Sequence, residues 1–176
     1  MTDFHKAARL DFARQYVNEN VAFWRRVVFS DEKTFSSSFN GPVTVFYRPN
    51  NTRFHPHYVM QRGRSGQFSI NTWGWVCAEG PGALWKIEGN LDGTQYVSIL
   101  ENVMLPSVKI LFSEDFVFLH DNSRIHTCKQ AKTWFSENNV LQLTWPARSP
   151  DLNPIENIWG CMVHIHCVTI NYGKQL

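Results

Sequence analysis

Asp31, Asp121 and Glu156 are the residues of this chain whose type and setting best suit them to do chemistry together. Asp121 follows the unbroken apolar run Phe116-Val117-Phe118-Leu119 through His120, and turn-forming Asn122-Ser123 come next. Such a run suits a strand buried on both faces that delivers its carboxylate at the exit. Asp31 stands in the same way at the end of Val27-Val28-Phe29-Ser30. Glu156 belongs to another kind of element. The stretch Ser149-Pro150-Asp151-Leu152-Asn153-Pro154 reads as a proline-punctuated loop entering a helix, with Asn153 as N-cap and Pro154 as the first helical residue. Three carboxylates on rigid elements can bind hard divalent cations, which take oxygen ligands and leave room for water and phosphate oxygens. Each acid also has a plain reading of its own: an Asx turn for Asp121, a strand end for Asp31, a capping glutamate for Glu156.

The elements that must position these acids can be read from periodicity and punctuation. Residues 5–20 are expected to form a helix with Ala8, Phe12, Ala13, Tyr16 and Val17 on one face and Lys6, Arg9 and Arg14 toward solvent. Strand signals follow at Val27–Phe29, Val43–Tyr47, Phe68–Val76 and Ala83–Ile87, and the polar stretch Arg48–Gly66 reads as loop. Asp92–Met104 is the clearest helix, capped by Asp92 with Gln95 at the capping-box position, and Pro106 is expected to break or bend it. Thr127 and Gln130 have capping-box spacing before a stripe of Cys128, Ala131, Trp134 and Phe135 that ends near Asn138-Asn139, and Leu141–Leu143 is a short strand. The order implies an α/β layered domain with an antiparallel meander first and parallel pairing later.

Composition narrows the class without deciding it. A chain of 176 residues that is 43% hydrophobic and 14% aromatic can bury a core as one domain and lacks the composition of disorder. Net charge is only +2, so DNA contact must come from local pairs such as Arg25-Arg26 or Arg62 and Arg64, each of which reads as ordinary surface when taken alone. No apolar run approaches the ~20 residues of a membrane span and no signal-peptide pattern opens the chain, so no membrane partner and an intracellular setting are expected. Cys77, Cys128, Cys161 and Cys167 lack the spacing of a disulfide framework, and reduced thiols are the default.

The segments FSDEKTF, HDNSRIHT and SPDLNPIENIWG, in that order, resemble the catalytic core of the mariner superfamily of DNA transposases. The 34 residues between Asp121 and Glu156 are similar to the nematode-type branch, and the likeness runs from about His5 to Gly160, taking in NTWGW and YVSILENVMLPS. The resemblance implies an RNase H-like fold. It also implies a catalytic triad of Asp31, Asp121 and Glu156 that holds two magnesium ions, with manganese as substitute, and cleaves and joins DNA strands by phosphodiester hydrolysis and strand transfer. DNA is the implied partner, as transposon ends and a TA target. A homodimer and a nuclear location follow from the same family architecture.

Around Asp121, the resemblance and the loop position make His120, Asn122, Arg124 and His126 candidates to touch DNA phosphate or orient a metal ligand, against the plain reading of locally satisfied loop residues. Glu32, if the strand continues, points to the face opposite Asp31 and is left out of the metal shell. Trp145 and Trp159 read as packing, and His55 and His57 as loop residues. The catalytic domain is expected over residues 1–160, without the two helical DNA-binding modules that open the family's longer chains, and residues 161–176 as a divergent tail. In that tail Cys161, His164, His166 and Cys167 sit too close together for a structural zinc pattern. Three readings stand: an active transposase catalytic domain, a truncated and incompetent remnant of one, or a host-captured domain used for DNA or protein contact.

Overall fold

The computed structural model describes residues 1–36, 69–112 and 115–173, with side chains given as far as His164. The strand expected at 43–47, the loop with His55 and His57, and Arg62 and Arg64 lie outside the described residues, as do the side chains of His166 and Cys167.

Helix α1 spans Asp3–Tyr16 and is capped by Thr2. The helix expected over 5–20 ends at Tyr16 with Val17 exposed, and a second short helix, α2 at Val21–Arg25, follows with its own N-cap in Asn20. Strand β1 runs Val27–Ser36, β2 Ser69–Cys77 and β3 Gly80–Ile87. Helix α3 covers Gly93–Ile99 and α4 Leu105–Leu111, followed by β4 at Val117–Leu119, α5 at Lys129–Glu137, β5 at Leu141–Gln142 and α6 at Pro154–Gly173. The described strands form one sheet in the order β3-β2-β1-β4-β5. The pairs β1/β2 and β2/β3 are antiparallel, and β1/β4 and β4/β5 parallel, which is the mixed pattern expected of an α/β domain.

Alternation along β1 splits the core into two layers. Val28 joins the cluster of Trp73, Tyr96, Phe118, Trp134 and Phe135 beneath α3, α4 and α5. Val27 faces the other way, into a cluster with Val117, Leu119, Leu143 and Trp145 that Phe12 and Tyr16 of α1 partly cover. On that same side Val76 packs with Ile155 and Trp159 of α6.

Three local expectations are corrected. Pro106 does not end its helix: α3 passes through a π turn at Leu100–Met104 straight into α4, with Pro106 in the first turn of α4. A wide turn just ahead of the ring accommodates both the missing N–H and the clash that would otherwise fall on the preceding turn. The N-cap of α5 is Cys128, whose Sγ accepts from the Ala131 amide, and not Thr127, whose Oγ1 donates to the Ser123 carbonyl. At α3 the Asp92 cap is in place, while Gln95 donates to the Glu88 carbonyl and so does not close a capping box. No helix of the described residues is long and apolar enough to cross a membrane.

Candidate active site

Asp31 lies in the middle of β1 and not at its end, because the strand runs on to Ser36 paired with β2. What ends beside Asp31 is β4. Its parallel ladder with β1 stops at Phe29 opposite Leu119, and the same offset carried two residues further sets Asp31 level with Asp121. Both are an even number of residues beyond inward-facing partners, so both carboxylates leave the sheet on the side of α6. The site therefore opens at the carboxyl ends of neighbouring parallel strands, where open α/β sheets place ligands.

Glu156 reaches the same place through a set of hydrogen bonds centred on Ser30. The buried Ser30 hydroxyl donates to the Leu119 carbonyl at 2.7 Å, which holds β1 to β4 just past the end of their ladder. The Ser30 carbonyl accepts from Asn153 Nδ2 at 3.3 Å, which holds the start of α6 against the same point. Asn153 also receives the Ile155 amide on its side chain and the Glu156 amide on its carbonyl, the N-terminal capping expected of it. One turn into the helix, Trp159 Nε1 donates to Asp31 Oδ2 at 3.2 Å. Trp159 can lie there because Gly74, the residue of β2 opposite Asp31, carries no side chain: a Cβ would come within 2.9 Å of the indole.

The three acids border one cleft of about 300 Å³, shared with Asn122, Arg148 and Asn153. Burial, then the charges of Glu32 and Glu156, push the Asp31 carboxyl up to about 7 against the pull of the Glu32 amide and Trp159. A carboxyl so burdened by burial and like charge is the kind of group a divalent cation relieves. The all-oxygen donor set fits magnesium or manganese. The acids are neighbours without yet being a cage: among the described residues no three His, Cys, Asp or Glu side chains stand close enough to hold an ion as they are.

In the loop after Asp121, burial rules out one of the two roles expected of His126 and leaves the other, orienting a ligand. His126 is 3% exposed, out of reach of a DNA phosphate. Its Nδ1 lies 2.7 Å from Asp121 Oδ1 and its Nε2 3.1 Å from Glu32 Oε1. Burial works against charge on this ring, but hydrogen bonds and charges from Asp121 and Glu32 outweigh it and raise His126 to about 10. The same His126 bond, helped by the Ser123 amide, holds Asp121 below the usual carboxylate range. His120 is also buried, between the Asp121 carbonyl and Gln142, and burial lowers its pKa. Asn122 donates to the Trp145 carbonyl at 2.7 Å and Arg124 is exposed. Of the basic residues expected to face solvent, Arg9 instead grips Asp151 through two bonds, at 2.7 and 2.6 Å, and Arg25 pairs with Glu79.

The family model described as DDE superfamily endonuclease matches residues 26–171, the greater part of the chain. The chain belongs to the DDE superfamily of endonucleases. Among its relatives in that family, the Tcb2 transposase of Caenorhabditis briggsae is 36% identical over 155 residues, covering 88% of this chain and 57% of its own. The Tc3 transposase of Caenorhabditis elegans is 35% identical over 161 residues, covering 92% and 47%. The chain thus spans about half the length of the curated relatives it matches. Among solved structures, the Mos1 transposase paired-end complex with left transposon end superposes with a TM-score of 0.71 at 20% identity over 93% of this chain and 48% of that one. The catalytic domain of Mos1 mariner transposase gives 0.62 at 18% identity over 94% and 72%. These likenesses show the RNase H-like fold of the DDE endonuclease chain. The match extends past Gly160, where the tail was expected to diverge, and α6 likewise continues unbroken to Gly173.

Sequence reading passed over Ser30, Gly74 and Trp159 as parts of this DDE site, and placed Glu32 outside it. A signal was present for Trp159: three residues beyond Glu156 on a helix, it shares that residue's face. Gly74 lies within NTWGW, one of the segments that carry the resemblance, but its importance lies in a register with β1 that only pairing reveals.

Proposed function

We propose that this chain is the catalytic domain of a DNA transposase, in which Asp31, Asp121 and Glu156 hold two magnesium ions and direct phosphodiester hydrolysis and strand transfer. The observation that carries the reading is that acids from β1, the exit of β4 and the first turn of α6 border one cleft. Asp31 and Asp121, level on adjacent strands, would hold the ions between them, with Glu156 completing one shell from the helix. Bound there, magnesium or manganese would supply the activation of an attacking hydroxyl and the stabilisation of a leaving 3′-oxygen. The protein's own part is to fix the carboxylates and to seat the DNA backbone, with Arg148 on the rim as a cation near the scissile phosphate and exposed Arg124, in the loop after Asp121, as a further phosphate contact. DNA is the proposed partner, as transposon ends and target, with a homodimer as the working assembly and the nucleus as its place of action. Its relatives, transposases of transposable elements, support this reading.

The test is nicking of supercoiled plasmid by the 176-residue chain with magnesium or manganese. The parent nicks, while Asp31→Ala and Asp121→Asn lose at least about a hundredfold in rate with their folds intact by circular dichroism. Equal rates in parent and variants would end the assignment. An inactive remnant is the competing reading, favoured by the acids not being gathered into a cage. It predicts no metal-dependent nicking by any of the three.

A further inference from the structure

His126 crosses from one side of the sheet to the other just beyond the end of β4. On its Nδ1 side stands Asp121, which borders the acid cleft; on its Nε2 side stands Glu32, which borders a separate cavity of about 270 Å³ on the opposite side of β1. Both ring nitrogens face carboxylate oxygens, so both act as N–H donors. The imidazole is 3% exposed and lies against the Tyr96 ring, 4.3 Å between centroids at 35°. Tyr96 is itself fully buried. Tyr96 and the two carboxylates together set the plane and position of the ring.

The consequence falls on Asp121. Its Oδ1 takes two bonds, from His126 and from the Ser123 amide at 2.8 Å, while Oδ2 has no hydrogen-bond partner among the described residues. A carboxylate held through one oxygen by two donors keeps the other oriented. Glu32 stands adjacent in sequence to Asp31 and acts on that carboxyl through its amide and its charge, while its side chain reaches Asp121 through the histidine.

We propose that Glu32 and His126 are positioning residues for the DDE site, a carboxylate–imidazole pair that fixes Asp121 by its Oδ1 so that Oδ2 is presented to a divalent cation. Glu32 anchors the ring from the far face of the sheet, and the ring anchors the ligand. This rests on the functional reading above, in which Asp121 is a metal ligand. Outer partners of this kind, when removed, cost about 10–100-fold in metal affinity or activity.

The experiment is calorimetric titration of manganese into the 176-residue chain without DNA, alongside thermal melting, for the parent, Asp121→Ala, Glu32→Gln, His126→Gln and the Glu32→Gln/His126→Gln double variant. Glu32 is only partly buried and Glu32→Gln keeps an acceptor of the same shape, so this variant tests the anchor without requiring the core to repack. The expected result is that Glu32→Gln melts within a few degrees of the parent but binds manganese about 10–100-fold more weakly. The double variant is expected to be no weaker than the worse single one, since both act through one connection. Parent-like affinity in Glu32→Gln, or additive losses in the double variant, would overturn the positioning role while leaving the DDE assignment standing. If the parent binds no manganese, or Asp121→Ala binds as tightly as the parent, the functional reading fails and this inference fails with it.

Discussion

In the proposed site Asp31 is the acid whose proton a cation would displace, because it is half-buried with two other carboxylates nearby. Its carboxyl is raised from the usual 3.8 to about 7, first by burial and then by Glu32 and Glu156. The folded chain therefore holds a proton there that the unfolded chain has already released, so the metal-free fold loses stability from this group as pH climbs from about 4 to about 7. Metal binding follows the opposite course. Below about pH 7 a cation competes with the proton, and manganese affinity is expected to fall about tenfold per pH unit, levelling off above it. Titrations from pH 5.5 to 8.5 read this directly. A flat affinity across that range would show that Asp31 is not among the ligands.

At the scale of elements, the site is made by an interlock between β1, the end of β4 and the first turns of α6. Ser30 joins the two strands and receives Asn153 from the helix start, and Trp159 returns from the helix to Asp31. Gly74 is what lets the tryptophan reach. Gly74→Ala places a Cβ at 2.9 Å from the indole and 3.3 Å from Leu84 Cδ1, so Trp159 must shift and give up its bond to Asp31. The expected outcome is a folded protein destabilised by about 1–3 kcal/mol in urea unfolding, with weakened manganese binding. Trp159→Phe keeps most of the ring without the N–H and should weaken binding with a smaller loss of stability. If Gly74→Ala binds manganese as the parent does, the tryptophan is packing alone. The π turn ahead of Pro106 belongs to this scale too, since local propensity calls for a break where packing of Leu100, Met104 and Val108 in the core favours a continuous rod.

Over the whole molecule, α1 matters although the family match begins only at residue 26. Phe12 and Tyr16 lie over Val27, Val117, Leu119, Leu143 and Trp145, with Phe12 edge-on to Trp145 at 5.2 Å, and Arg9 clasps Asp151 beside the entry to α6. Trp145 in turn offers its carbonyl to Asn122, next to Asp121. Removing residues 1–19 uncovers that cluster, and the expected loss is about 2–3 kcal/mol from the two half-buried rings. Denaturant unfolding of the shortened chain checks it, and an unchanged midpoint would mean that α1 is not part of the folded unit.

The sequence by itself determined the acids, the type of element that carries each, the α/β order and the mixed sense of the sheet. Those follow from local rules: apolar runs, caps, prolines and alternation act over a few residues and are written where they operate. Only the tertiary structure decided that Asp31 lies mid-strand, that Glu32 meets Asp121 through His126, that Trp159 touches Asp31, and that Gly74 makes room for it. Each of these is a contact between residues tens of positions apart, set by strand register and by where one strand stops beside another. No local pattern encodes that, because a register is a property of a pair of segments and not of either one.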